Sequence, residues 1–151
     1  MLNVILAWGF QGGCEFDERP ESPEAVLGRI EQLLGTRVPG TGAPVYTVEL
    51  FRRDSYLPIR PTALEYLSVG LGDGGWWVRY FPGEDAGPQL EAVGDESAKG
   101  KCVIWYGMDS VVWSRRYLMP KAVAHQVIRT WCEAGVLSDA VGWAEQTRDQ
   151  D

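Results

Sequence analysis

Residues 102–143 begin Cys102-Val103-Ile104-Trp105-Tyr106-Gly107, continue through Asp109-Ser110 and Val111-Val112-Trp113-Ser114-Arg115-Arg116, and reach Met119-Pro120. A helical stretch then runs to Ala134-Gly135, and a short segment closes on Trp143. The first run reads as an apolar strand, Asp109-Ser110 as a turn, and Val111 to Arg116 as a second strand. Proline at the first turn of a helix loses nothing, because the amide it lacks would have no partner there. Val123, Val127, Ile128 and Trp131 recur at helical spacing as one buried stripe. Gly135 stands where a left-handed residue ends a helix. These residues serve architecture and none is arranged for chemistry, which points to a binding protein.

Working outward, Met1 to Trp8 reads as a first strand and Gln11 to Glu21 as a polar loop. Ser22-Pro23 opens a helix from Pro23 to Leu34: the serine oxygen caps a free amide, and Val26, Leu27, Ile30, Leu33 and Leu34 form an apolar stripe. Val45 to Arg52 alternates as a strand. Leu64 to Leu71 and Trp76 to Phe81 flank Gly72-Asp73-Gly74-Gly75, a hairpin connection. Pro82 to Gly100 is polar and acidic and reads as a loop. The expected fold is α+β, a mainly antiparallel sheet with two helices packed on one face, in a single domain over residues 1–151.

Composition narrows the function. The chain carries 14 basic and 21 acidic side chains, a formal net charge of -7. Nucleic-acid binders need basic patches to displace counterions, so this balance argues against nucleic acid. It suits a basic protein partner, or simply solubility. Cys14, Cys102 and Cys132 are too widely spaced for a disulfide framework or a paired-cysteine zinc site, and read as reduced thiols. The apolar opening has no basic start or cleavage site and is too short to span a membrane. A cytoplasmic protein is expected, with no membrane partner, metal or cofactor. Oligomeric state is not legible.

Three constellations invite chemistry. Gly70-Leu71-Gly72-Asp73-Gly74-Gly75 has the spacing of a dinucleotide-binding turn, but the strand-like Trp76-Trp77-Val78-Arg79-Tyr80-Phe81 follows where a helix is required. His125, the only histidine, has no orienting carboxylate or nucleophile placed beside it and reads as a solvated helix residue. Two acidic runs, Glu15 to Glu24 and Glu84 to Glu96, fall in segments read as loops, where solvated charge is the default. Recognition of a basic surface is the stronger functional use of such charge. Trp76 and Trp77 point to opposite sheet faces, and either Trp77, Arg79 and Phe81 or Trp76, Val78 and Tyr80 would line an open one.

The chain resembles the first bacterial immunity-protein family of the Imm series, cytoplasmic antidotes of polymorphic toxin systems. The matching pieces are Leu67-Ser68-Val69-Gly70 with Asp73-Gly74, Trp105-Tyr106-Gly107, and Met119-Pro120 opening a helix with Val123, Val127 and Trp131, then Gly135 and Trp143. The match covers Leu64 to Trp143 and departs from the family pattern at Pro88-Gln89-Leu90 and Trp113-Ser114. The resemblance implies a non-enzymatic inhibitor that binds a cognate protein toxin, of deaminase or nuclease class and basic around its active site. The candidate toxin contacts are Glu15, Asp17, Glu18, Glu84, Asp85, Glu91, Asp95, Glu96, Asp109 and Trp77. The alternative is a small-molecule-binding or accessory domain with ligand held among tryptophans between helix and sheet.

Overall fold

The computed structural model describes residues 2–9, 15–37, 42, 44–52, 65–83, 86–106 and 109–145. Nine strands are present among them: β1 (Val4–Gly9), β2 (Glu15–Glu18), β3 (Thr47–Arg52), β4 (Tyr66–Gly72), β5 (Gly75–Phe81), β6 (Leu90–Val93), β7 (Lys101–Tyr106), β8 (Asp109–Ser114) and β9 (Gly142–Glu145). The helices are α1 (Pro23–Leu33) and α2 (Lys121–Ala134). Seven strands lie side by side in the order β2-β1-β3-β4-β5-β6-β9, and all pairings are antiparallel. The β7–β8 hairpin leaves this path as a ribbon, tied to β4 through the pair Gly72–Ile104. The architecture is the expected α+β one.

Strand alternation divides the core in two. Leu6, Val48, Leu50, Leu67, Val69 and Val78 point to one face, where they meet Val26 and Ile30 of α1 and Val127, Ile128 and Trp131 of α2. On the other face Trp77 packs with Cys102, Ile104 and Leu118, and Trp113 of the ribbon closes over them. The expectation for adjacent tryptophans is thereby resolved. Trp76 lies toward the helices, half-buried, and Trp77 is 0 % exposed beneath the ribbon. Gly70 makes this possible: a methyl there would overlap the Trp77 indole, whose Nε1–H donates to Leu71 C=O at 3.1 Å. The segment after the ribbon is zipped to β5 by reciprocal amide bonds between Trp76 and Met119, both 2.9 Å.

Both helices are bounded to within one residue of the sequence reading, with Leu34 and Pro120 as extended caps outside α1 and α2. Ser22 Oγ accepts from the Ala25 amide at 3.1 Å, and Gly135, at φ 67°, takes the left-handed cap of α2. Inside α2, Ala124 is buried and Val123 only half-buried. Gly72 pairs with Gly75, so the glycine-rich segment is a hairpin with Asp73-Gly74 at its turn. Cys102 and Cys132 are free and buried, and burial pushes the Cys132 thiol up to about 12. Cys14 lies outside the described residues. No helix among the described residues is long and apolar enough to cross a membrane.

Four local expectations are corrected. Arg115 and Arg116, expected to continue the second ribbon strand, form a short 3-10 helix with Tyr117 after β8 ends at Ser114. Glu15–Glu18 is strand, not loop, because Phe16 stacks on Trp8 of the neighbouring strand with ring centroids 4.4 Å apart. Leu90–Val93 is strand within the polar stretch, recruited by β5 on one side and β9 on the other. Asp109-Ser110 is also strand: Tyr106 pairs with Asp109 and Trp105 with Ser110, and residues 107–108 lie outside the described residues.

Candidate functional site

The candidate contacts do not converge on one patch. β2 lies at one end of the sheet path and β6 five strand positions away. At ordinary strand spacing that is about 24 Å. Asp17 projects from β2 and is exposed, opposite Ala7 of β1. Glu15 holds the register position opposite Gly9. Asp95 and Glu96 follow β6 and are exposed. Asp95 Oδ1 accepts from the Ser97 hydroxyl and amide, at 2.8 and 3.0 Å, and these bonds hold its carboxyl below the usual range. Asp109 opens β8 on the ribbon. Glu84 and Asp85 lie outside the described residues, as do the side chains of Glu15 and Asp109.

Glu18 is only half available. Its neighbours in β2 alternate, so Glu18 turns toward α1, where Arg29 Nε and Nη2 donate to it at 2.7 and 2.9 Å and Trp8 Nε1 at 2.6 Å. Burial raises its pKa, but the bonds from Arg29 and Trp8 outweigh burial and hold it below the usual value. A cleft of about 460 Å³ opens beside this group, lined by Leu6, Glu18, Arg19, Pro20, Ala25 and Arg29.

Two candidates are overturned. Trp77 is fully buried, so it presents no side chain to a partner. Glu91 is 1 % exposed. It projects from the sheet face opposite the helices, and its Oε1 accepts from Nε of Arg79, its cross-strand neighbour. The Arg79 guanidinium lies between the rings of Trp77 and Trp113, 5.4 Å from each centroid. Glu91 Oε2 and Ser68 Oγ, on the same face, make no hydrogen bond among the described residues. Burial pushes the Glu91 carboxyl up to about 7, against the pull of Arg79.

The sequence alone places Glu91 in a loop, where this pair is not visible. The usable signal was an isolated carboxylate in the apolar run Leu90-Glu91-Ala92-Val93, which favours a cross-strand counter-ion over solvent. The register places Asp17, Ala7, Glu49, Ser68, Arg79 and Glu91 in one row across the sheet. The row runs from an exposed carboxylate at the β2 edge to a buried ion pair under the ribbon.

His125 is not on a solvated face. Its ring meets Trp76 edge-on with centroids 5.5 Å apart, and its Nε2 is buried without a hydrogen bond. Burial lowers its pKa, with Glu31 opposing and Lys121 and Arg129 reinforcing. The tryptophans between helix and sheet are packing groups: Trp131 is 1 % exposed and donates to Leu50 C=O at 3.2 Å. Among the described residues no group of three His, Cys, Asp or Glu side chains is placed to hold a metal ion. No protein-family model, curated protein or solved structure matches this chain.

Proposed function

We propose that this chain is an immunity protein that neutralises a cognate toxin domain, of deaminase or nuclease class, by stoichiometric binding in the cytoplasm of the cell that makes both. The observation that carries this reading is β2. It is an outer strand paired only with β1 among the described residues, and three of its four residues, Glu15, Asp17 and Glu18, are acidic. Glu21, exposed just before α1, adds to this charge, whereas the Glu24 carboxylate accepts from Arg129 Nη1 at 2.7 Å. The outer strand of a sheet is where strand addition takes place, and here its charge selects a basic partner. A toxin surface that grips nucleic acid is basic, and a net charge of -7 steers encounter with it. The residue resemblance over Leu64 to Trp143 supports the same class. Asp95 and Glu96 lie too far from β2 to share a small contact, so we assign the docking edge to β2 alone.

Co-expression with the toxin encoded beside its gene tests the proposal. Wild-type protein should restore growth, and Asp17→Lys should slow association about tenfold, since charge changes at an interface rim act mainly on the on-rate. The thermal midpoint of the variant is measured alongside, so that slower association is read from folded protein only. Failure of the wild type to restore growth removes the proposal. Unchanged association for Asp17→Lys moves the contact away from β2.

A further inference from the structure

The cleft beside Glu18 lies in the angle between β2 and α1. Glu18, Arg19 and Pro20 carry the chain from strand to helix, Ala25 and Arg29 stand on α1, and Leu6, paired with Glu18 across β1, completes the lining. Its volume of about 460 Å³ admits a whole aromatic side chain. The polar wall is already satisfied: the Glu18 carboxylate accepts twice from Arg29 and once from Trp8, so it forms a neutral ion pair and not a free anion. Leu6, Pro20 and Ala25 are apolar.

The charges around the cleft select its occupant. Arg19 is exposed at the rim, and the Arg29 guanidinium lies over the Trp8 ring at 5.8 Å. Guanidinium groups repel a cation but stack on aromatic faces. An anion is opposed by the exposed residues Asp17 and Glu21, which flank this segment. What fits is an uncharged ring. Strand geometry supplies one at the right place. Phe16 and Glu18 turn to the helix face, and Asp17, between them, turns to the other. A strand added beyond β2 therefore sets alternate side chains beside the cleft and the intervening ones level with Asp17.

We infer that the strand docked on β2 carries an aromatic side chain that fills this cleft, with basic residues beside it in sequence on the Asp17 side. This rests on the reading of β2 as the toxin-docking edge and specifies the pattern of the partner segment, basic and aromatic in alternation. Charge governs encounter, and the buried ring governs how long the complex lasts.

Dissociation of the complex with the toxin domain encoded beside the gene tests the inference, each variant's thermal midpoint being measured so that only folded protein is compared. Ala25→Trp, which places a ring of the chain's own in the cleft, should speed dissociation about thirtyfold and leave the salt dependence of association as in the wild type. Arg19→Ala, which removes a stacking guanidinium, should speed it about fivefold. Alanine substitution of the toxin's aromatic residues should find one whose loss speeds dissociation from the wild type but not from Ala25→Trp. A folded Ala25→Trp variant that dissociates at the wild-type rate overturns the inference, and docking on β2 stands without it if Asp17→Lys still slows association. If Ala25→Trp does not fold, an Arg19→Ala rate equal to that of the wild type overturns it instead. Coupling of Ala25 to basic or aliphatic toxin residues alone does so too. If the wild type forms no complex, the reading of β2 fails and the inference falls with it.

Discussion

Replacing Arg79 with leucine should destabilise the fold by about 3–5 kcal/mol at pH 8, the usual cost of leaving one member of a buried ion pair without its partner. Glu91 is 1 % exposed, and its Oε2 makes no hydrogen bond among the described residues, so the loss of Arg79 leaves it little other compensation there. The double variant Arg79→Leu/Glu91→Leu should recover most of the loss, since buried pairs can often be exchanged for apolar groups at little cost. The pH dependence separates this from simple packing damage. The Glu91 pKa is raised from 4.5 to about 7 in the folded protein. The folded chain therefore holds this proton more tightly than the unfolded chain. The wild type gains stability from this group as pH falls from about 7 to about 4.5, an effect on the order of 3 kcal/mol, and loses it as pH rises.

Without Arg79 the carboxyl is raised further, so the Arg79→Leu deficit should be largest at pH 8 and smallest near pH 5. Glu18 acts oppositely: its depressed pKa gives stability above the unfolded value that is lost as pH falls through the folded one. The two windows are therefore distinct. Urea unfolding of the wild type, both single variants and the double variant at the two pH values decides the matter. An Arg79→Leu deficit that does not change with pH would contradict a buried charge at Glu91.

Trp131→Ala should cost a similar amount, about 3–5 kcal/mol, as is usual when a large aromatic is removed from a core. Trp131 joins three elements. It lies on α2 at 1 % exposure, donates from Nε1 to Leu50 C=O of β3 at 3.2 Å, and meets Tyr80 of β5 edge-on with centroids 5.8 Å apart. The Arg52 guanidinium covers its ring at 5.6 Å. For a chain of this size the thermal midpoint should fall on the order of 10 °C. Trp131→Phe, which keeps most of the packing but loses the indole donor, should lose about 1–2 kcal/mol. If Trp131→Ala unfolds within a degree or two of wild type, α2 is not held to the sheet by this residue.

The parts of the fold legible in sequence were those with strong local signals. Ser22-Pro23 and Gly135 marked helix ends because capping is a local hydrogen-bond problem, and Gly72 to Gly75 marked a hairpin because its turn chemistry is local too. β2 and β6 were missed because each is four residues long and is strand only through its neighbours. Phe16 needs Trp8, and Glu91 needs Arg79, and neither pairing is visible until the sheet order is known. The same blindness governed the site. Charge count located the acidic segments, but only topology shows that Asp17 and Asp95 lie at distant positions in the sheet, that Glu91 faces inward, and that Trp77 is covered by the ribbon.

The most direct test is titration of the purified chain with the toxin domain encoded beside its gene, at low and at high salt. A one-to-one complex that forms at low salt, weakens as salt rises, and weakens further with Asp17→Lys is the expected result, because the acidic β2 edge would be screened and then reversed. No complex at low salt, or a complex indifferent to both salt and Asp17, would contradict docking of a basic toxin on this edge.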